Sequence, residues 1–278
     1  MADVGLPRSS PTLTRIDSDA TIATMNAASE RLYPSEGSHG AVVHALGSAI
    51  VSGEYPPGSA IPTEERLTTK FGVSRPVVRE ATRVLRGKGL VKSTVGRGTI
   101  VQRPSQWNLL DPDVLVWRYT DTTSASAMDD LTGLRLFLEP AAARQAAHNP
   151  SRRIIDPIED AFQRMKHAVE DTDEFVEADL AFHAAIVDAT ENELLVHLNS
   201  MLAIALHAQR RMHTTSKTRH RRTLPAHKRV LDAIRDHQPD QAETEARDII
   251  ERAHQDILYY TGRAKRSGVS RKATESET

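Results

Sequence analysis

The sequence has no cysteine, few aromatic residues and no long apolar run, and each absence narrows the class of protein. With no cysteine among 278 residues, a disulfide framework and a thiolate metal site are excluded. Aromatic residues make up only 4%, so the core must be built from Ala, Leu, Ile and Val, which suits helices. No apolar run reaches the roughly 20 residues that span a bilayer, and the N-terminus lacks an export pattern. We therefore expect a cytoplasmic protein.

The net charge of −1 conceals a strong asymmetry along the chain. Residues 41–103 hold ten Lys and Arg against four Asp and Glu, whereas residues 104–262 hold eighteen against twenty-six. The first part can lie on a polyanion, which the second would repel. The composition and its breaks predict five segments: a disordered tail over 1–38, a basic domain over 39–103, a linker over 104–123, a helical domain over 124–262 and a second disordered tail over 263–278.

Capping and turn residues divide the basic domain into three helices and a hairpin. Thr63 is a plausible N-cap for the second helix, which ends at Gly72, and Ser74 is predicted to cap the third, with Pro76 in its first turn. The stretch "LVKSTVGRGTIVQ" has two β-branched runs around a Gly-Arg-Gly tip, which predicts a hairpin. The rest is predicted helical over 126–148, 152–170, 173–190, 193–211, 225–236 and 240–262. The fold class is mainly α, a winged helix-turn-helix followed by an antiparallel all-α bundle.

The third helix separates its arginines from its apolar residues. At 100° per residue, Arg75, Arg79, Arg83 and Arg86 fall within an arc of about 80°, and the valines, alanine and leucine fall outside it. A basic stripe alone is more often a solvated face, but the tight turn before it, the hairpin after it and the local positive charge favour double-stranded DNA. We predict DNA contacts from the N-terminal part of this helix and from the hairpin tip, at Ser74, Arg75, Val77, Arg79, Arg83, Gly96 and Arg97.

The hairpin sequence "GRGTIV" also resembles the start of a nucleotide-binding loop. It lacks the third glycine and the following helix that such a loop requires. We therefore interpret it as the wing of the winged helix.

Three ionisable residues of the helical domain lie on apolar helix faces. Asp179 and His183 are in the middle of one apolar arc, and His227 is among apolar residues on a second helix. Burying such groups without partners is costly. An Asp and a His four residues apart, with a third ligand from another helix, can hold a divalent metal such as zinc and leave one position open. The alternative is an ordinary buried Asp–His salt bridge.

Arg135 is at the edge of another apolar arc and has two interpretations. It can pair with Glu139, four residues later on the same helix, or it can clamp a small carboxylate effector with its guanidinium group. The sequence does not separate the two.

Two parts of the sequence resemble a known family of bacterial regulators. The stretch "SGEYPPGSAIPTEERLTTKFGVSRPVVREATRVLRGKGLVKSTVGRGTIV" resembles the winged helix of GntR-family regulators. The pieces "LRLFLEPAAARQAA", "DLAFHAAIVDATEN" and "HKRVLDAIRDHQPDQAETEA" resemble the FCD ligand-binding domain of that family's FadR branch, and "WNLLDPDVLVW" looks most like its sugar-acid regulators. The resemblance implies a homodimeric repressor that responds to a small carboxylate and binds operator DNA.

The resemblance also implies a set of metal ligands, from which this chain departs at one position. The FCD domain commonly holds a divalent metal through an Asp, the His four residues later and two further His. The first three are Asp179, His183 and His227, but the fourth position falls at Ile249, and His254 lies about 140° further round the helix. The second helix also departs from the family, with Glu65 where an Arg is frequent.

Two other functions compete with that of a sugar-acid regulator. A metalloenzyme joined to a DNA-binding domain would need a general base directed at the metal, and the sequence offers neither that nor a G-x-S-x-G or phosphate loop. An acyl-CoA sensor would need an apolar interior, which inward-pointing ionisable residues disfavour. We expect a regulator and no enzymatic activity.

Overall fold

The N-terminal domain consists of three helices and a two-stranded hairpin. A computed structural model describes residues 32–121, 125–148, 151–213 and 217–260 of the chain; most of the two predicted tails lies outside them. The elements are α1 (Gly37–Val51), α2 (Glu64–Phe71), α3 (Arg75–Gly87), β1 (Val91–Thr94) and β2 (Gly98–Val101). The strands pair antiparallel, with Val91 opposite Val101 and Thr94 opposite Gly98. The predicted winged helix-turn-helix is confirmed.

Local chemistry explains the tight turn between α2 and α3. Thr63 caps α2, since its hydroxyl accepts a hydrogen bond from the Arg66 backbone at 3.4 Å. Gly72 ends α2 in the left-handed region at φ 64°, a conformation that costs glycine little. Ser74 occupies the N-cap position of α3, but its side chain makes no capping hydrogen bond. The predicted N-cap position is therefore confirmed, but the capping hydrogen bond from the Ser74 side chain is not formed.

The segment predicted as a linker is built into two cores. It forms α4 (Pro112–Val116) and a π-helical turn (Trp117–Asp121). Val114 and Trp117 are buried in the core of the winged helix. Leu115 and Tyr119 are buried in a second core, which they share with the helical domain. The two domains are thus joined through a packed element.

The helical domain contains seven helices in the described residues. They are α5 (Ala125–His148), α6 (Arg152–His167), α7 (Thr172–Asp188), α8 (Glu193–Met201), α9 (Ala203–His213), α10 (Lys217–Arg235) and α11 (Pro239–Tyr260). Helix α5 packs along α11, α6 along α7, and α10 along α11. The predicted mainly-α class is confirmed, and none of the described helices has the length and apolarity of a membrane span.

Two predicted helix boundaries in this domain are wrong. The single helix predicted over 193–211 is divided at Leu202, a break that apolar periodicity does not signal because Leu202 keeps helical backbone angles. The helix predicted over 225–236 begins at Lys217, so Pro225 lies inside it. Proline inside a helix removes one backbone hydrogen bond. The added turns bury His220, whose ring stacks on Phe175 at 4.3 Å, and this packing offsets the loss.

The contact between α1 and the π-helical turn gives a stability prediction. A Cβ on Gly47 would lie 2.4 Å from the Trp117 ring, whereas one on Gly133 in α5 would meet no atom within 4 Å. We expect Gly47→Ala to lower the free energy of unfolding by about 1–3 kcal/mol through overpacking. The control Gly133→Ala should raise it by roughly 0.5–1 kcal/mol. Urea denaturation measures both, and a neutral Gly47→Ala would show that Trp117 does not pack against α1.

Burial of Asp188 at the end of α7 gives a pH-dependent prediction. Burial raises the pKa of Asp188 from 3.8 to about 6, so the folded state binds more protons than the unfolded state between these values. Stability is therefore lost as pH rises through this window. We expect Asp188→Asn to stabilise the protein at pH 7.5 by about 1–2 kcal/mol, a figure reduced for partial exposure, and to have little effect at pH 4. The exposed Asp160→Asn is the control in urea denaturation at both pH values; equal effects of Asp188→Asn at pH 4 and 7.5 would contradict the assignment.

Candidate functional site

Helix α3 exposes a row of arginines on the side opposite the core. Val78, Ala81 and Leu85 are buried in the N-terminal core, and Val77 is half-buried at its edge. The exposed positions on this helix and its cap include Ser74 and the arginines Arg75, Arg79, Arg83 and Arg86. The helix therefore presents a cationic surface that is accessible to a partner.

Two of these arginines have carboxylate partners that the helical wheel did not reveal. Arg79 Nε lies 2.9 Å from Glu64 Oε2 of α2, and Arg83 pairs with Glu80. Arg75 has no ion-pair partner in the described part of the chain. Exposed pairs contribute only about 0–1 kcal/mol. A phosphate group can therefore displace Glu64 from Arg79 and Glu80 from Arg83 at a small cost in free energy. At Arg75 a phosphate has no carboxylate to displace.

The hairpin tip extends beyond the domain. Val95, Gly96 and Arg97 are exposed, and Gly96 has a positive φ of 74°, which favours glycine. Arg97 lies at the end of this projection. The structure thus keeps Gly96 and Arg97 accessible, as the sequence predicts.

The second site is a buried cluster of one carboxylate and two imidazoles. Asp179 and His183 come from α7 and His227 from α10, and one ligand atom from each lies within 4.8 Å of the others. His227 Nε2 is 2.9 Å from Asp179 Oδ1, and His183 Nε2 is 3.9 Å from the same oxygen. All three side chains are buried. The structure therefore brings together the three residues singled out in the sequence.

Each imidazole ring is oriented by a hydrogen bond at Nδ1, while its Nε2 is the nitrogen nearer to Asp179. His227 Nδ1 lies 3.0 Å from the Thr223 carbonyl, which only accepts, so Nδ1 carries the proton. His183 Nδ1 lies 2.6 Å from the Glu139 carboxylate and donates to it. Both Nε2 atoms then face Asp179, and the 2.9 Å from His227 Nε2 to Asp179 Oδ1 is also the geometry of the buried Asp–His pair that the sequence offered as the alternative. This is the donor set that a divalent cation needs, with the outer hydrogen bonds typical of metal-binding histidines.

Two arginines neutralise the acids around this cluster. Arg210 of α9 donates through Nε to Asp179 Oδ2, and Arg135 Nε lies 2.6 Å from Glu139 Oε1. Burial opposes ionisation of both acids, yet Arg210 holds the pKa of Asp179, and Arg135 that of Glu139, well below the usual range. Burial lowers the pKa of His183. Near neutral pH, the acids are therefore ionised and His183 is uncharged.

Arg135 makes the ion pair with Glu139 that is one of its two predicted interpretations. It pairs with Glu139, and its Nη1 donates to Gln209 Oε1 at 3.0 Å. It also lines a cavity of about 560 Å³ that reaches the cluster. The pairing with Glu139 is observed, and a carboxylate in the cavity remains within the reach of this side chain.

The cavity shows how the chain departs from a four-ligand site. Its wall includes all three cluster residues together with Thr223, Arg219, Arg222, Ile249, His254 and Asp256. Ile249 is buried and apolar. His254 lies 3.9 Å from Asp129 and is outside the group of candidate ligands found among the described residues.

Comparison with known proteins decides the family. The model for bacterial regulatory proteins of the gntR family matches residues 39–101, and the FCD domain model matches residues 130–252. The galactonate operon transcriptional repressor of Escherichia coli (strain K12) is 34% identical over 206 residues, which are 74% of this chain and 90% of that protein. The chain belongs to the GntR family. It is a DNA-binding transcription regulator with an FCD domain, and the predicted family and function are confirmed.

Other GntR relatives agree with this assignment. The regulator LutR of Bacillus subtilis (strain 168) is 31% identical over 66% of this chain and 85% of its own length. The repressor NanR of Klebsiella aerogenes is 30% identical over 71% of this chain and 76% of its own length. A structure solved in work on Lar, which controls the Listeria monocytogenes agr system, aligns with a TM-score of 0.58 at 17% identity, over 82% of this chain and 99% of that one. The last likeness supports the fold alone.

Sequence reasoning missed Arg210 and Gln209 in the FCD domain. Both lie on the buried stripe of α9, with Leu202, Ala205 and Leu206 one and two turns before them. This i, i+3, i+4 spacing was the available signal.

Proposed function

We propose that this GntR regulator is a cytoplasmic, homodimeric repressor whose operator affinity changes when a small carboxylate, in particular a sugar acid, binds in its FCD domain. The single observation that carries the effector site is the convergence of the Asp179 carboxylate and the His183 and His227 imidazoles at the cavity wall. The relative named for the galactonate operon supports the sugar-acid class. The proposal includes a DNA-binding domain over 39–103, a linker over 104–123 and an effector-binding domain over 124–262.

On the DNA, α3 would enter the major groove and the wing would follow the backbone. Arg75 and Arg79, near the start of α3, are suited to guanine edges or to the adjacent phosphates. Ser74 and Val77 would contribute a hydroxyl and an apolar contact at the same end. Arg83, Gly96 and Arg97 would contact phosphates. Glu65 is exposed on α2, so this helix would make no basic contact there.

Asp179, His183 and His227 would hold a divalent metal such as zinc through Oδ1 and the two Nε2 atoms. The fit rests on the donor set, one carboxylate oxygen and two imidazole nitrogens that lie within 4.8 Å of one another. A bound metal would supply an open coordination position for an anionic oxygen. Arg135 would orient the effector carboxylate, since a guanidinium group donates two parallel hydrogen bonds to it.

A packed route joins the effector site to the DNA-contacting helix. Leu115 and Tyr119 pack with residues of α7 and α9, the helices that carry Asp179 and Arg210. At the other end, Lys88 follows α3 directly and lies 2.9 Å from the carboxylate of Asp111, at the start of α4. A shift of α7 or α9 on effector binding would therefore move the start of α4 against α3.

An acyl-CoA effector is the alternative within the same function. Charged side chains, among them Arg219, Arg222 and Asp256, line the cavity and disfavour an acyl chain. The sugar-acid proposal is therefore preferred.

Gel-shift titration on the promoter regions beside the chain's own gene tests the proposal. We expect retardation at moderate salt, reversed by one of a panel of sugar acids. Thermal-shift screening with the same panel should show a rise in melting temperature that a chelator removes. Absence of retardation would contradict operator binding, and a rise that persists with chelator would contradict the role of the metal.

A further inference from the structure

The formal charges around the buried cluster cancel. Asp179 and Glu139 contribute two negative charges, and Arg135 and Arg210 contribute two positive charges, while a metal-binding imidazole is neutral. All four charged side chains are buried. A divalent ion adds two positive charges to this neutral interior, and uncompensated charge in such a place is costly.

Arg210 is the residue that most directly opposes this added charge. It is 1% exposed, and Nε donates to Asp179 Oδ2. Nη1 and Nη2 are both buried and have no hydrogen-bond partner among the described residues. Most of its donors are therefore unpaired, so hydrogen bonding alone does not explain a buried guanidinium here. What it does provide is a positive charge next to the one carboxylate of the triad.

We propose that Arg210 is a counter-ion that neutralises Asp179 in the metal-free protein and makes tight metal binding depend on an anionic effector. This inference rests on the metal role in the proposed function. Arg210 leaves Oδ1 as the only Asp179 oxygen open to the metal, and it repels the incoming cation. An effector carboxylate returns the missing negative charge. Metal and effector then each raise the affinity for the other, as linkage requires.

The decisive comparison is the zinc affinity of full-length wild-type and Arg210→Met proteins without effector, measured by competition with a fluorescent chelator. The specific site is defined as the binding lost in His227→Ala. Arg210→Met should bind zinc tighter by about 10–100-fold, the scale on which groups just outside the ligands change affinity. The neighbouring Arg211→Gln removes an exposed arginine paired with Asp173 and should bind zinc like wild type.

The opposite result separates this role from a structural one. If Arg210 only oriented Asp179, its removal would weaken zinc binding, and an equal or weaker affinity in a folded Arg210→Met protein would overturn the proposal. Absence of zinc binding in wild type and variant alike would overturn it too, while leaving operator binding, which gel shift measures independently, unaffected.

A second measurement serves if Arg210→Met does not fold. The wild-type zinc affinity is compared in sodium acetate and in sodium chloride at equal ionic strength, with the weak binding of zinc by acetate subtracted. Acetate is the minimal carboxylate that can return the negative charge. Tighter zinc binding in acetate, by about tenfold on the scale of such couplings, supports the proposal, and an unchanged affinity overturns it.

Discussion

Replacing Arg75 with alanine is expected to weaken operator binding about 5–150-fold, the equivalent of about 1–3 kcal/mol for one well-placed arginine contact. Arg75 is exposed at the start of α3, where a recognition helix meets base edges. Arg75 has no carboxylate partner in the described residues, so its replacement breaks no ion pair in the unbound protein. The folded state should be almost unaffected because the side chain is exposed.

Fluorescence anisotropy at several salt concentrations measures this effect and identifies its kind. A lost phosphate contact lowers the salt slope by about one and weakens all sequences alike, whereas a lost base contact relaxes specificity at one position. Arg153→Ala is the control, since Arg153 is an exposed arginine of the FCD domain. Equal operator affinities of the Arg75 and Arg153 variants would contradict the assignment of α3 to the DNA.

Replacing Asp179 with asparagine is expected to lower the free energy of unfolding by about 3–5 kcal/mol, the usual cost of breaking a buried ion pair. The change leaves the Arg210 guanidinium buried without its main counter-charge. It also removes the only anionic member of the triad, so the melting-temperature rise on addition of zinc should disappear.

The same two helices supply a matched control for Asp179→Asn. Asp173 of α7 pairs with Arg211 of α9, but both side chains are exposed, and such a pair contributes about 0–1 kcal/mol. Urea denaturation of Asp173→Asn should therefore give nearly wild-type stability and an unchanged response to zinc. Similar losses in the two variants would show that burial of the Asp179–Arg210 pair has no energetic importance.

The sequence predicted features that depend on one helix at a time. The cationic face of α3 follows from 100° steps along a single helix, and the inward placement of Asp179, His183 and His227 follows from the apolar residues beside each of them. The partners of these residues on other helices cannot be predicted from the pattern of a single helix. Glu64 reaches Arg79 from α2, and a buried arginine such as Arg210 looks like a surface residue until its helix neighbours are shown to be buried.

The junction between the domains could not be predicted because its contacts are long-range. Trp117 packs against Gly47, seventy residues earlier, and its indole nitrogen donates to His44 Nδ1 at 3.3 Å. Nothing local in the stretch 104–123 reveals that Val114 and Leu115, adjacent in sequence, are buried in different cores. The extra turns of α10 before Pro225 have the same origin, since His220 packs on a residue of α7.

The central claim is that the buried cluster of the FCD domain controls how tightly α3 holds the operator. Operator affinity, measured with and without the sugar acid selected by thermal shift, in wild-type and His227→Gln proteins, tests it most directly. We expect the two proteins to bind DNA equally without effector, and the effector to weaken binding by the wild type alone, by about 5–150-fold. An equal response of both proteins, or a wild-type affinity that no effector changes, would contradict it.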